Sequence, residues 1–297
     1  MTTAFHHISL LTKNRHTNLA FYTETLGLRF VKNTVNQDNH RMLHYYYGDY
    51  QGTPGTVVTF FVVPHLGNRY DNDHFLATIG LKIPMGSLTY WEKRLKEKGI
   101  EVLREETQLH FLDPDQVALT LTEVASDPLP KERQVANEIP GDYQILGLNG
   151  TEIHVQEPQK TLTFFKQLLG WQADETGRIV FNETDHLDII ATNTDKKMHM
   201  GRGAIDHVAF AVKDETALEA LHQKAQRQGW QIEKIVSRGY FKSLYIREPG
   251  GNRMEFATLS PGFTIDEPLE TLGESFALPP FLADQRAAIE ANIYPEE

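Results

Sequence analysis

The sequence predicts an α+β fold: four repeated βαβββ modules, paired into two-domain, barrel-like curved sheets with helices outside. Three observations carry that prediction. Helical stretches closed by glycine return in matching form, residues 19–28 answering 162–171 and residues 91–100 answering 221–230. Each is preceded by one strand-like stretch and followed by several, split by Gly/Pro or polar turns. The repeat, at about fifty to seventy residues, is too long for a solenoid, whose units run to about fifty at most.

The first module opens on the strand Phe5-His6-His7-Ile8-Ser9-Leu10. Its helix carries Leu19, Tyr22 and Leu26 on one stripe and stops at Gly27. Strands follow at 28–33, 41–48 and 56–63. In the second module a strand at 75–84 leads to a helix at 87–98, stopped by Gly99, then strands at 100–105, 108–112 and 117–124. Residues 127–143, rich in Pro, Lys, Glu and Asp, read as a linker. The third module opens at 145–155 and has its helix at 161–169, before Gly170. The fourth opens at 204–212, with a helix at 214–228 before Gly229 and closing strands at 243–247 and 252–258. The expected domains are therefore 1–126 and 144–260, followed by a tail at 261–297 whose end, Pro295-Glu296-Glu297, reads as a solvated terminus.

Composition narrows the function. A formal charge of −11 disfavours nucleic acid and anionic membranes as partners. No apolar run approaches the length of a membrane span, and the N-terminus lacks the basic and apolar regions of a signal peptide, so the expected location is cytoplasmic. With no cysteine there is no disulfide, thiolate ligand or cysteine nucleophile. Any metal must be held by nitrogen and oxygen.

One acid stands out. In Arg253-Met254-Glu255-Phe256 the alternation puts Met254 and Phe256 on one face and Glu255 on the other. A buried carboxylate needs a partner or a metal, and a salt bridge to Arg253 or Arg247 is the plain alternative. Aligning the modules sets Gly150 opposite His7, Thr78 opposite His207 and Thr120 opposite Glu255, while the first module ends in Thr59-Phe60-Phe61 with no acid. Ligand-capable residues thus stand at His7, His207 and Glu255. Two histidines and one carboxylate form the facial triad of non-haem iron(II) sites, which leaves positions open for substrate and dioxygen. A structural zinc site would supply four ligands.

The modules, with His on an opening strand and Glu on a closing one, resemble the vicinal oxygen chelate superfamily, which includes glyoxalase I, bleomycin-resistance proteins and extradiol dioxygenases. Within it, His6-His7-Ile8-Ser9, Tyr45-Tyr46-Tyr47-Gly48-Asp49, the run from Tyr240 to Gly251 and the tail from Pro261 to Leu269 resemble ring-cleaving dioxygenases of the hydroquinone type. That resemblance implies Fe(2+), with Mn, Zn or Ni as other divalent metals, held by His7, His207 and Glu255. It implies a small aromatic substrate, hydroquinone or catechol-like, and dioxygen as partners, and a homo-oligomer is a further expectation. It makes Tyr245 a hydrogen-bond donor near the metal, puts Arg238 in the substrate pocket, and places His6, Ser9 and Asp206 at further pocket positions, with His6, Asp206 or Tyr245 handling protons. The family more often has Thr where Ser9 stands and His where Asp206 stands.

Plainer readings stand beside these. Tyr245 as a core aromatic, Arg238 as a loop arginine and Asp206 as a strand cap are each compatible with the letters. His44, His65, His74, His110, His154, His186, His199 and His222 have no matching partner in another module and read as structural or surface residues. Two other functions fit the same fold: a glyoxalase-like metal-dependent isomerase or lyase, which typically adds a fourth protein ligand, and a non-catalytic quinone- or drug-binding resistance protein.

Overall fold

Alternation along the strands decides which side chains reach the core. In β1 (Phe5–Thr12), Ile8 and Leu10 point into the hydrophobic core while His7 and Ser9 point to the opposite face. The computed structural model describes residues 5–293; Pro295, Glu296 and Glu297 lie outside the described residues. The first module continues through α1 (Arg15–Ala20), β2 (Arg29–Asn36), β3 (Asn39–Gly48) and β4 (Val57–Val62). The second comprises β5 (Phe75–Pro84), α2 (Leu88–Glu97), β6 (Leu103–Arg104), β7 (Gln108–Leu112) and β8 (Ala118–Val124). The third has β9 (Gly147–Val155), α3 (Pro158–Leu169), β10 (Arg178–Val180) and β11 (His186–Ala191). The fourth has β12 (Ile205–Val212), α4 (Glu215–Gln228), β13 (Gln231–Ser237), β14 (Phe241–Arg247) and β15 (Arg253–Pro261).

These strands form two sheets. One has eight strands in the order β13-β14-β15-β12-β1-β4-β3-β2, and the other seven in the order β10-β11-β9-β5-β8-β7-β6. The first and fourth modules share the larger sheet through the antiparallel pair β1–β12, and the second and third share the smaller one through β5–β9. Each half of the chain therefore gives one module to each sheet. That exchange makes His7 and His207 neighbours.

Local chemistry explains the helix ends. The Asn14 side chain accepts from the His16 and Thr17 amides, and Asp214 from that of Ala217, satisfying donors that no helical carbonyl reaches. Gly170 and Gly229 close α3 and α4 at φ 78° and 74°, a left-handed conformation that costs any other residue more. The first helix differs from a regular stripe: after Ala20 it widens into a π turn over Phe21–Thr25, with the Leu26 amide bonded to the Phe21 carbonyl at 3.0 Å. Tyr22 and Leu26 still face inward. The third module is abbreviated, with two strands after its helix and an isolated bridge between Ala173 and Ile179. The strand expected at 100–105 shrinks to Leu103–Arg104.

Residues 127–143 pack rather than dangle. Asn137 donates to the Gly27 carbonyl (2.8 Å), Arg133 pairs with Asp49, and the Trp91 indole donates to the Tyr143 carbonyl (2.8 Å). The tail runs back across β2 and β3: Leu278, Leu282 and Ile289 of α5 (Arg286–Ile293) and its approach pack with Val35. Lys32, fully buried, donates to the Phe263 carbonyl (3.0 Å), to Asp266 (2.6 Å) and to Glu267. Among the described residues no helix is long and apolar enough to cross a membrane.

Candidate metal centre

Strand register assembles the triad. His7 on β1 lies opposite Ala209 on β12, and Ala209 lies opposite Glu255 on β15. His207 is two residues before Ala209 and shares its face. The small Ala209 side chain leaves room for the longer ones on either side to lean together. His7 Nε2 and His207 Nε2 are 3.2 Å apart, and Glu255 Oε2 is 3.3 Å from the first and 2.7 Å from the second. All three residues are buried.

Hydrogen bonds behind the rings fix what the front atoms offer. The Thr258 carbonyl can only accept, so His6 Nε2 donates to it (3.2 Å) and His6 Nδ1 keeps its lone pair. His7 Nδ1–H donates to that lone pair at 2.9 Å, leaving the lone pair of His7 on Nε2. In the same way His207 Nδ1–H donates to Asp206 at 2.7 Å, leaving Nε2 as its ligand atom. Ser243 donates to Glu255 Oε1, and Glu255 Oε2 is buried with no hydrogen-bond donor.

Two imidazole lone pairs and one orphaned carboxylate oxygen thus converge. For metal–ligand bonds of about 2.0–2.2 Å, adjacent corners of an octahedron stand about 3.0 Å apart. The observed spacings bracket that value. The residues present fit a divalent cation bound on one face. His7, His207 and Glu255 are the one such cluster found among the described residues.

Electrostatics agree. Burial alone would push the Glu255 carboxyl up, but His7 and His207 hold it well below the ordinary range. Burial lowers the pKa of His7 despite the pull of Glu255, keeping its ring neutral. Burial also works against charge on His207, yet Glu255 and Asp206 outweigh it and raise its pKa. The arginines that offered a plain salt bridge are occupied elsewhere: Arg247 and Arg253 both pair with Glu233, and Arg253 also with Asp206 at 2.9 Å.

A cavity of about 110 Å³ opens at the triad. Tyr245, Arg238 and Asp206, all expected near the metal, line it. Arg238 Nε donates to the Tyr245 hydroxyl (3.2 Å), its Nη2 reaches Asp38 (2.8 Å), and its Nη1 is buried with no partner. Burial and Glu255 push the Tyr245 hydroxyl well above its usual range, so it stays protonated. Asp206, held down to about 2 against burial by His207 and Arg253, is ionised and engaged. His6 stands behind His7 and faces a different cavity, its pKa pushed down to about 3 by burial and by His7. Ser9 is on the same sheet face but fully covered, bonded to Thr59 at 2.7 Å.

His44 adds to the sequence reading. Expected as a structural or surface residue, it is buried, bonded to Thr59 (2.9 Å) and Tyr46 (2.9 Å) and tilted against Phe61 at 4.2 Å, and it also borders the cavity at the triad. Tyr46, part of the Tyr45–Asp49 motif, joins it there, and sequence alone gives neither residue a place at the site. In the smaller sheet, Gly150, Thr78 and Thr120 border a polar cleft of about 130 Å³ in which Glu152 is bonded to His154 (2.7 Å) and Thr78 (3.1 Å).

Comparison with known proteins follows the same lines. Residues 4–121 and 147–256 match the family model of the glyoxalase/bleomycin resistance protein/dioxygenase superfamily. MhqA of Bacillus subtilis (strain 168), provisionally named a ring-cleaving dioxygenase, is 36% identical over 98% of both chains. The chlorohydroquinone/hydroquinone 1,2-dioxygenase of Sphingobium indicum is 27% identical, covering 93% of this chain and 91% of that one. A crystal structure of a provisionally named Bacillus subtilis dioxygenase aligns with a TM-score of 0.89 at 28% identity, over 100% of this chain and 98% of that one. Glyoxalase I from Zea mays shares the fold, with a TM-score of 0.60 at 15% identity over 86% and 92% of the two chains.

Proposed function

The chain belongs to the glyoxalase/bleomycin resistance protein/dioxygenase superfamily, and from that premise we propose that it is an iron(II)-dependent extradiol-type dioxygenase that cleaves a hydroquinone or catechol-like ring. The observation that carries the reading is the convergence of His7 Nε2, His207 Nε2 and the donor-free Glu255 Oε2 beside a cavity of about 110 Å³ lined by aromatic and charged side chains. Names of relatives support the reaction class: ring cleavage by dioxygen, with hydroquinones as substrates in one case.

His7, His207 and Glu255 would hold the metal, which would supply Lewis acidity toward a ring oxygen and a path for electrons from the ring to dioxygen. The rest is the work of the chain. Arg238, with Nη1 unpartnered in the cavity wall, offers a cationic donor to the ring oxygen and favours its deprotonated form. Tyr245 takes a hydrogen bond from Arg238 and so keeps its own O–H to donate toward the reacting oxygens. Phe61, Tyr46 and Phe241 border the ring and exclude water. Asp206 and His6 act through His207 and His7, fixing tautomer and orientation. The overall step balances without another reductant: one ring carbon–carbon bond breaks, and both oxygen atoms enter the product.

The isomerase reading has less support. Ser9 pairs with Thr59 as Ala209 pairs with Glu255, so a threonine occupies the place of a fourth acidic ligand. The test is oxygen uptake by protein loaded anaerobically with iron(II), across hydroquinones and catechols, with His7→Ala and Glu255→Ala as controls. Uptake that requires iron, a diol ring and both ligands is expected. Metal binding with no uptake on any ring would overturn the proposal.

A further inference from the structure

The metal cavity has a neighbour. About 320 Å³ of space lies between the loop at 51–54, Leu259 and the tail residues Phe263 and Leu269. Phe241 lines both spaces. Its ring meets His6 at 4.9 Å and the ligand His7 at 5.3 Å, so it stands as a partition directly behind the metal site.

The two spaces differ in size and chemistry. An apolar cavity of about 150 Å³ is known to admit a benzene ring. The metal cavity, at about 110 Å³, is smaller than that and leaves no room beside a ring for anything attached to it. Charged groups also crowd it, among them Asp38, Lys234, Arg238 and Arg253. The neighbouring chamber is walled by Pro54, Tyr240, Leu259, Phe263 and Leu269, and Leu259 is 47% exposed.

Most of the chamber wall is clamped. Gly52 has φ +66°, and a Cβ there would come within 2.8 Å of the Phe263 ring, so the loop presses against the tail. Phe263 in turn packs on Tyr46 at 5.2 Å and Tyr240 at 5.3 Å, and Tyr240 donates to Asp266 at 2.8 Å beside the buried Lys32. Phe241 is buried in the same cluster but, unlike Tyr240, has no hydrogen bond to tether its ring, and it begins β14 next to a register shift in the ladder.

We propose that this chamber is a subsite for an apolar substituent on the ring substrate, and that Phe241 is the residue that decides whether the substituent enters. The proposal rests on the ring-cleaving reading and specifies its substrate class: rings carrying a bulky alkyl or aryl group. With the ring oxygen at the triad, the substituent displaces the Phe241 ring and lies against Leu259, Phe263 and Leu269.

Binding under nitrogen tests this without turnover. Iron(II)-loaded protein is titrated calorimetrically with hydroquinone and with tert-butylhydroquinone, in the wild type, Phe241→Ala and Leu259→Trp. The expected result is at least tenfold tighter binding of tert-butylhydroquinone by the wild type. Phe241→Ala should widen that ratio, and Leu259→Trp, which fills the chamber from its exposed side, should bring it close to one. Thermal melts of each variant show that it is folded. Hydroquinone binding with a ratio near one in all three proteins would overturn the subsite while leaving the ring-cleaving reading intact. Failure to bind either ring would remove that reading and the subsite with it.

Discussion

Asp206→Asn tests the arrangement behind the proposed metal ligands. Asp206 Oδ2 accepts both His207 Nδ1–H at 2.7 Å and Arg253 Nη1 at 2.9 Å. The first bond turns the imidazole so that its Nε2 lone pair faces Glu255, and the negative charge makes that nitrogen a better donor to a cation. Asparagine keeps one carbonyl oxygen for His207 but loses the charge and turns an amide toward Arg253. Losses of about 10–100-fold in metal affinity follow when such supporting acceptors are removed, or about 1.4–2.8 kcal/mol at 1.4 per tenfold. We predict that range for Asp206→Asn. Arg253→Met, which leaves the Asp206–His207 bond in place, should cost less than half as much in free energy. The assay is competition for iron(II) against a chromophoric chelator under nitrogen. An Asp206→Asn affinity within threefold of wild type would refute the reasoning, and would mean that packing against the Tyr245 ring, 5.6 Å away, suffices to aim His207.

Three further predictions concern other parts of the molecule. Thr59→Glu places a carboxylate at the register position matching Glu255; it should tighten divalent-metal binding by tenfold or more and suppress oxygen uptake, and weaker metal binding in chelator competition would contradict the assignment. Asp113 is raised to about 6 by burial, against the Val117 and Asp115 amides and the Tyr22 hydroxyl that bond it. Because its folded pKa lies above the unfolded value, its contribution is fully present below about pH 4 and lost as pH rises through 6, so Asp113→Asn should stabilise the fold by up to about 2 kcal/mol at pH 7.5, with little gain at pH 4; urea denaturation giving equal effects at both would contradict this. Lys32→Met removes the buried cation between Asp266 and Glu267, and breaking such a pair costs about 3–5 kcal/mol. Partial restoration by adding Glu267→Gln is expected, since Asp266 keeps its charge, and a loss below about 1 kcal/mol in the single variant would show the tail clamp to be idle.

Much of this arrangement was legible in the letters, and the reasons are specific. Gly170 and Gly229 mark helix ends because a left-handed residue is required there. The triad emerged because His7 and His207 hold equivalent places in their modules and Glu255 breaks an apolar alternation. Sheet pairing was not written in the same way. Similarity groups the first module with the third and the second with the fourth, whereas the sheets join first to fourth and second to third. Which edges meet depends on contacts between distant segments, and helix similarity carries no record of them. His44 was hidden for another reason. In Leu43-His44-Tyr45-Tyr46-Tyr47 every residue is buried, so alternation could not tell the core face from the cavity face. Ser9 faces the right way, yet Thr59 and His44 stand between it and the cavity, a matter of neighbouring strands rather than of its own. The π turn at Phe21 likewise leaves the stripe of Tyr22 and Leu26 in place while altering the backbone beneath it.

The central claim is that His7, His207 and Glu255 hold a metal at which a diol ring and dioxygen combine. The most direct measurement is a single turnover of iron(II)-loaded protein with hydroquinone and isotopically labelled dioxygen, followed by mass spectrometry of the product. The account predicts a ring-opened product carrying both labelled atoms, and none with Glu255→Ala. An intact ring, or release of the label as hydrogen peroxide or water, would contradict it.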